Sequence, residues 1–277
     1  MYLCAVVASS QTISLARHTT HTQRMKRRIL RPPICDLSQS DDKIRNVIRK
    51  ALRGTLSPAM TVVGHGCESQ IANVVKCMRD RQDIKRTLQD EKTSQKAFDI
   101  VNGSLEDKRE KLKTCLESVC KRLLSLASNH EKKSAPDLNG RLCFRVYPKQ
   151  DKEKHRLGAH VDHTLMTLLY SNCAGLEVLD PDACDAKVWS RERICGYGLP
   201  TMGPPSSDLP SMLREDQWAV IDMPWDRYPL LFTVGASWLS CDLVDLVKVE
   251  SPVLHRVVTN ASTERVSIPF LVDLAED

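Results

Sequence analysis

The chain has 277 residues, of which 42% are hydrophobic and 27% are charged, as in ordinary globular proteins. It contains no run of eighteen apolar residues, so we expect no membrane-spanning helix. The net charge is +5, but the first 35 residues hold six of the 40 basic side chains and none of the 35 acidic ones. The rest of the chain is close to neutral, which argues against a nucleic-acid-binding protein.

Residues 1–31 form a basic leader that is rich in Ser, Thr and Arg. This composition is typical of a mitochondrial or plastid transit peptide, and a disordered tail is the alternative. The eleven cysteines include no Cys-x-x-Cys pair. We therefore expect reduced thiols rather than a disulfide framework or a structural zinc site. These features predict an intracellular protein that is cytoplasmic or, if the leader is a targeting signal, mitochondrial or plastid.

Residues 32–138 are predicted to form a helical N-terminal region. Apolar side chains recur at helical spacing in three stretches, which are 40–53, the surroundings of 71–78, and 105–126. The first begins with Ser40-Asp41-Asp42, a typical helix start, and stops at Gly54. A short strand at 61–63 separates the first two helices, and a polar linker, 129–137, ends the region.

Residues 139–277 are predicted to form a β domain, because the apolar period changes to two from Arg141 onward. Strands are expected at 141–147, 165–170, 176–179, 217–222, 230–234, 253–260 and 265–273. Short strands in succession without intervening helices favour an antiparallel barrel or jelly roll. The Pro- and Gly-rich segment 181–215 interrupts this pattern and is predicted to be an insertion loop. The fold class expected is thus α+β, with a jelly-roll core and a helical N-terminal region packed on it.

The first candidate metal ligands are His160 and Asp162. Residues two apart in a strand project from the same face, so one imidazole and one carboxylate can reach the same ion. His163 would point to the opposite face. Taken alone this pattern is common by chance, and a second, distant group of residues gives it weight.

That second group begins at His255, which lies in a predicted strand. Arg265 and Ser267 follow ten and twelve residues later on one face of the next strand. A hairpin with its turn near Ala261-Ser262 would set His255 roughly opposite Ile268. Two His and one carboxylate form the facial triad of non-haem Fe(II) oxygenases, whose open positions accept a 2-oxo acid and O₂. An Arg fork suits the far carboxylate of that cosubstrate, and a Ser hydroxyl adds a hydrogen bond.

With these residues in place, the sequence resembles the Fe(II)/2-oxoglutarate-dependent dioxygenase superfamily, specifically its isopenicillin N synthase-like branch. Nearly everything after the leader takes part in the resemblance. Its motifs are PICDLS at 33–38, VGHG at 63–66, LGAHVDHTLMTLL at 157–169, FTVG at 232–235, LHRVVTN at 254–260 and RVSIPF at 265–270. Tyr147-Pro148 matches a Tyr-Pro of the family whose tyrosine often contacts the cosubstrate. Ala236 departs from the family, which usually has Asp after Gly235.

The resemblance implies an enzyme that hydroxylates or desaturates a small organic substrate and converts 2-oxoglutarate and O₂ to succinate and CO₂. It implies Fe(II) on His160, Asp162 and His255, and 2-oxoglutarate on Arg265, Ser267 and Tyr147. We expect a monomer with no nucleic-acid or membrane partner.

Several alternatives stay open at this stage. They are an oxygenase acting on a protein side chain, an enzyme using iron and O₂ without 2-oxoglutarate, and a catalytically silent family member acting as a binding protein. A nucleic-acid demethylase is disfavoured, because Leu271 stands where those enzymes carry a further Arg.

Overall fold

The structure is a computed structural model that describes residues 28–53, 60–64, 66–87, 91–128, 137–149, 155–180, 213–224, 227, 229–240, 247–249, 252–258 and 263–275. Outside the described residues lie His65, the predicted turn at Ala261-Ser262, most of the predicted leader, and the predicted insertion loop as far as residue 212. The described part is a mixed α+β fold with three helices and two large sheets.

The three helices cover the stretches for which apolar spacing predicted helices. They are α1 (Asp41–Arg53), α2 (Glu68–Thr87) and α3 (Glu91–Ala127). Helix α1 has two Asp in its first turn and two basic residues in its last, an arrangement that complements the helix dipole. Helix α3 begins well before residue 105, where the apolar spacing starts. Spacing did not predict its first turns because they are largely polar. No helix in the described part combines the length and apolar character needed to cross a bilayer.

Twelve strands in the described residues form the two sheets. They are β1 (Arg28–Leu30), β2 (Ile34–Asp36), β3 (Met60–Gly64), β4 (Leu138–Leu142), β5 (Arg145–Tyr147), β6 (His155–His160), β7 (Met166–Ser171), β8 (Leu176–Leu179), β9 (Trp218–Ile221), β10 (Leu230–Val234), β11 (His255–Val258) and β12 (Arg265–Leu274). The minor sheet has the order β1-β9-β8-β11-β6. The major sheet has the order β2-β3-β10-β7-β12-β4, and β5 also pairs with β12.

The hydrophobic core lies on both faces of the major sheet. One cluster joins the three helices to the face formed by alternate residues of β7, β10 and β12. A smaller cluster lies against the minor sheet and contains residues such as Val62, Leu231, Val178 and Val257. The major sheet therefore faces the helices with one side and the minor sheet with the other. The candidate site opens between the two sheets.

The N-terminal region contributes strands as well as helices. Strand β1 pairs in parallel with β9, β2 pairs with β3, and β3 pairs with β10. Arg28 in β1 donates to the buried carboxylate of Asp180 at 2.7 Å. The last residues of the predicted leader 1–31 are thus part of the folded body, because they complete the edge of the minor sheet.

The predicted hairpin between the last two strands is wrong. Strand β11 pairs with β6 and β8 in the minor sheet, whereas β12 pairs with β7, β4 and β5 in the major sheet. The chain crosses from one sheet to the other after Val258. His255 is therefore paired with His160 and Val178, and Ile268 lies opposite Tyr170. Adjacent strands in sequence need not pair when each finds a better-matched partner in a different sheet.

A disulfide joins Cys67, just before α2, to Cys115 in the middle of α3. The expectation of reduced thiols is wrong for this pair, although five other cysteines of the described residues are free. The spacing of the cysteines did not predict this disulfide, because the two residues are 48 positions apart. They meet only because α2 packs along α3.

We expect Cys115→Ser to lower the free energy of unfolding of the oxidised protein by about 2–4 kcal/mol, because the bond restricts a long loop of the unfolded chain. Urea denaturation measures this change. Cys143→Ser, which removes a free thiol of similar exposure, is the matched control. If a reductant leaves the unfolding curve of the unaltered protein unchanged, the two cysteines are not bonded in solution.

Candidate metal and cosubstrate site

The three predicted metal ligands meet at one end of the minor sheet. His160 is the last residue of β6 and His255 the first of β11, and the two are direct cross-strand partners. Their ring centroids are 4.2 Å apart. The Asp162 Oδ1 lies 3.7 Å from the His160 Nε2 and 3.8 Å from the His255 Nε2. One ligand atom from each residue falls within a common span of 4.8 Å, which suits a single ion.

The local geometry of Asp162 differs from the prediction. Strand β6 ends at His160, so Asp162 lies in irregular backbone beyond it rather than two residues along a strand. The carboxylate still turns toward the imidazoles because neighbouring groups hold this segment. The backbone N–H of Ala236 donates to the Asp162 carbonyl at 2.8 Å, and the Leu165 N–H donates to the Asp273 carboxylate at 2.8 Å.

Two further contacts explain why the segment after β6 adopts this shape. Gly235 follows β10 where the backbone of 162–164 comes very close, and a Cβ there would overlap the carbonyl oxygen of Thr164. Ser237 donates from both its N–H and its hydroxyl to the carbonyl of His163. The His163 side chain itself is exposed and is not one of the clustered ligands. Ala236 thus holds Asp162 through its backbone N–H. The Asp side chain that the family usually has at this position is not needed for that contact.

Each histidine is oriented by a backbone carbonyl. The His160 Nδ1 lies 2.8 Å from the Gly158 oxygen, and the His255 Nδ1 lies 3.0 Å from the Val253 oxygen. A carbonyl can only accept, so Nδ1 carries the hydrogen and Nε2 presents its lone pair to the centre of the cluster. This is the arrangement by which proteins fix the tautomer of metal-binding histidines.

The pKa of His160 is lowered, chiefly by burial and next by the charge of His255. Arg145 acts in the same direction, whereas the Gly158 carbonyl and Asp162 oppose it. A lowered pKa keeps the imidazole neutral and available as a ligand near pH 7.

Thr167 supports the carboxylate of Asp162. Its hydroxyl donates to Oδ2 at 2.6 Å, which leaves Oδ1 facing the histidines. Thr167 lies in β7 and is buried. Sequence reasoning did not single it out, because a Thr in an apolar strand is ordinary and only the register of β7 places it beside Asp162.

The predicted cosubstrate residues line the same cavity as the triad. Arg265, Ser267 and Tyr147 all contribute to its wall. Arg265 and Ser267 alternate with core residues along β12, and Tyr147 is the cross-strand partner of Arg265 in β5. The Arg265 guanidinium carbon lies 5.4 Å from the centre of the Tyr147 ring. The prediction that Arg265 and Ser267 share one face of their strand is confirmed.

Arg265 carries the most unusual environment in the site. Its side chain is 1% exposed, and none of its three guanidinium nitrogens has a hydrogen-bond partner among the described residues. Burial lowers the pKa of its guanidinium, against the opposing influence of Tyr147 and Cys173. A buried cation without an anion is costly. A carboxylate in the cavity would supply the missing partner, so the residues present fit a carboxylate-bearing cosubstrate such as a 2-oxo diacid.

Gly175 makes room for the Arg265 side chain. Its φ of 135° disfavours other residues, and a Cβ there would come within 2.6 Å of the Val258 oxygen and 3.0 Å of the Arg265 Cδ. The residue precedes β8, and its carbonyl accepts the N–H of Val258 at the end of β11. Sequence reasoning did not identify this role.

The cavity between the two sheets is open to solvent at one side and encloses about 640 Å³ when this open part is included. Its other walls are mostly apolar and come from both sheets. They include Leu157, Leu169, Leu176, Thr233, Val253, Val257, Pro269 and Leu271, together with the cation Arg145.

A second buried arginine lies beside the triad on the opposite face of β11. Arg256 donates from Nε to Glu177 at 2.7 Å and from its two terminal nitrogens to Glu215 at 2.9 and 2.7 Å. Its guanidinium also lies 4.2 Å from the centre of the Trp218 ring. These contacts tie β11 to β8 and β9 and so hold the strand that presents His255.

Comparison with solved structures shows which fold this is. A dioxygenase for auxin oxidation from Arabidopsis thaliana, solved with 2-oxoglutarate, matches with a TM-score of 0.54 at 17% identity over 89% of this chain and 94% of its own. The rice dioxygenase for auxin oxidation matches with a TM-score of 0.51 at 16% identity, over 89% of this chain and 84% of its own. The chain has the fold of these dioxygenases. JOX2, solved with 2OG, Fe and JA, matches with a TM-score of 0.50 at 17% identity, over 91% of this chain and 77% of its own. No family model and no curated protein matches the sequence.

We expect Thr167→Val to weaken metal binding by about 10- to 100-fold, because the isosteric side chain can no longer orient the Asp162 carboxylate. Titration of the metal-free protein with Fe(II) or Mn(II) against a competing chelator measures the affinity. Thr167→Ser keeps the hydroxyl and should bind within about threefold of the unaltered protein. Equal affinities for the Val and Ser variants would show that this hydrogen bond does not support the site.

Proposed function

We propose that this protein is an Fe(II)- and 2-oxoglutarate-dependent dioxygenase that hydroxylates or desaturates a small organic substrate. The two facing sheets and the similarity to dioxygenase structures support a jelly-roll core of the double-stranded β-helix type. The observation that carries the proposal is the pairing of two features in one cavity. A His-Asp-His cluster stands at one end, and the buried Arg265, without an anionic partner in the described residues, lines its wall.

In this proposal His160, Asp162 and His255 hold Fe(II) through the two Nε2 atoms and a carboxylate oxygen. Bound iron supplies the activation of O₂ and the oxidative decarboxylation of 2-oxoglutarate to succinate and CO₂. The protein's own contribution is to fix these ligands. It does so through the Gly158 and Val253 carbonyls and through the Thr167 hydroxyl.

Arg265 binds the far carboxylate of the cosubstrate. Its planar fork can pair with both oxygens of a carboxylate, and Ser267 offers a hydroxyl from the same face of β12. The Tyr147 ring lies within cation–π distance of the guanidinium. Because the rest of the wall is apolar, the bound cosubstrate would exclude water from the space beside the triad.

A small molecule is the substrate class that the cavity favours over a protein side chain. The space is a concave cavity between two sheets whose walls are mostly apolar with a few polar groups, as is typical of small-molecule sites. The auxin-oxidising and JA-bound dioxygenases of the same fold also act on or bind small organic molecules.

We expect the purified chain, supplied with Fe(II), O₂ and 2-oxoglutarate, to form succinate slowly without added substrate. Asp162→Ala should reduce this rate at least about 100-fold, because the triad loses its only carboxylate. Asp80→Ala, an exposed aspartate on α2, is the control and should keep the full rate. Undiminished succinate formation by Asp162→Ala would exclude the triad assignment.

We expect Arg265→Met to separate function from stability. It should weaken iron-dependent binding of 2-oxoglutarate at least about 100-fold, because two charge-assisted hydrogen bonds are lost. In the metal-free protein it should raise the free energy of unfolding by about 1 kcal/mol or more, because a buried charge without a partner is removed.

Arg256→Met is the matched comparison for this test. That substitution should lower the free energy of unfolding by about 3–5 kcal/mol, because it deprives the buried Glu177 of its arginine. Calorimetry and urea denaturation give the two quantities. If both Met variants are destabilised equally, Arg265 is a structural residue and not an anion site.

A further inference from the structure

The cavity contains a second arginine that the proposed cosubstrate site does not use. Arg145 begins β5 and is the direct cross-strand partner of Ser267, two residues before Tyr147 on the same face. It lines the cavity together with the triad, and its charge reaches His160. Unlike Arg265, its side chain is exposed. Within the described part of the chain it makes no ion pair or side-chain hydrogen bond.

The charges of the loaded cavity leave Arg145 unmatched. Among the lining residues the side chains with a formal charge are Asp162, Arg265 and Arg145, because a histidine that ligates a metal does so as the neutral imidazole. On the proposed function, on which this inference rests, the cavity also receives a divalent cation and a dianionic cosubstrate. The iron and Arg265 together balance the cosubstrate and Asp162. One positive charge therefore remains, and it belongs to Arg145.

The apolar side chains in the cavity wall indicate the chemical character of the rest of the ligand. The minor sheet presents Leu157 from β6, Leu176 from β8 and Val257 from β11 to the cavity. These apolar side chains suit a hydrocarbon or aromatic body. A single exposed guanidinium matches one carboxylate better than a phosphate dianion, which would retain an unbalanced charge in an apolar space.

We propose that Arg145 determines substrate specificity and that the substrate is a small monocarboxylic acid with an apolar body. Its carboxylate pairs with the Arg145 guanidinium at the mouth of the cavity. Its body lies against the apolar wall of the minor sheet, next to the triad. Arg265 thus binds the carboxylate of the cosubstrate at a buried position, and Arg145 binds the carboxylate of the substrate at an exposed one.

Direct binding tests this assignment without relying on turnover. The full chain is loaded with Fe(II) and 2-oxoglutarate under anaerobic conditions and titrated calorimetrically with matched pairs of acids and neutral amides. The pairs are 3-phenylpropionate and 3-phenylpropanamide, indole-3-acetate and indole-3-acetamide, and octanoate and octanamide. The variants are Arg145→Gln, Arg145→Lys and, as the control, Arg79→Gln on the exposed face of α2.

We expect at least one acid to bind about 10-fold or more tightly than its amide. Arg145→Gln should weaken the binding of that acid by roughly 10- to 100-fold and the binding of its amide by less than about threefold, because only the charge-assisted contact is lost. Arg145→Lys should retain part of the preference, since it keeps the charge but not the fork. Arg79→Gln should bind like the unaltered protein.

Three results would overturn the inference while leaving the proposed function intact. No acid of the panel binds more tightly than about 1 mM; the amides bind as well as the acids; or Arg145→Gln weakens 2-oxoglutarate instead of the acid, which would place Arg145 in the cosubstrate site. A protein that neither binds 2-oxoglutarate with iron nor forms succinate would reject the proposed function and this inference together.

Discussion

The alternation of side chains along β12 joins the hydrophobic core to the candidate site. Val266, Ile268, Phe270 and Val272 are buried against the helices, whereas Arg265, Ser267, Pro269 and Leu271 line the cavity. A shift of one residue in the pairing of β12 would exchange the two sets. The apolar face therefore fixes the register, because placing Arg265 among the helices would bury its charge in the core. Packing energy therefore determines that Arg265 and Ser267 face the cavity.

The two buried arginines show how the same side chain can serve stability or binding. Arg256 and Arg265 are both almost fully inside the protein, at 7% and 1% exposed. Arg256 is satisfied by carboxylates from Glu177 and Glu215, and it links β11 to β8 and to the residues just before β9. Arg265 has no such partner in the described residues and faces an open cavity. An unsatisfied buried charge lowers the stability of the fold, and in the proposed function the carboxylate of the cosubstrate would offset this cost.

The three candidate metal ligands depend on support from outside the minor sheet. His160 and His255 are set by the pairing of β6 with β11. Asp162 lies beyond the strand, and its position comes from Thr167 of the major sheet and from the backbone of Ala236. The triad thus bridges both sheets, so its geometry depends on how the sheets face each other. Arg145, on the edge strand β5, is exposed and adds a further charge to the lining of the same cavity.

Much of this molecule was readable from sequence because its signals are local. Helical and alternating apolar spacing located the three helices and most strands. The chemistry of His160, Asp162, His255, Arg265 and Ser267, together with the motifs around them, predicted a metal and cosubstrate site. The tertiary structure alone determined which strands pair and which distant side chains meet. It placed β11 and β12 in different sheets, joined Cys67 to Cys115, and brought Thr167, Gly175 and Arg145 to the site. Spacing along a chain reports which face of an element is apolar, but long-range contacts depend on how those faces fit together, which no local pattern records.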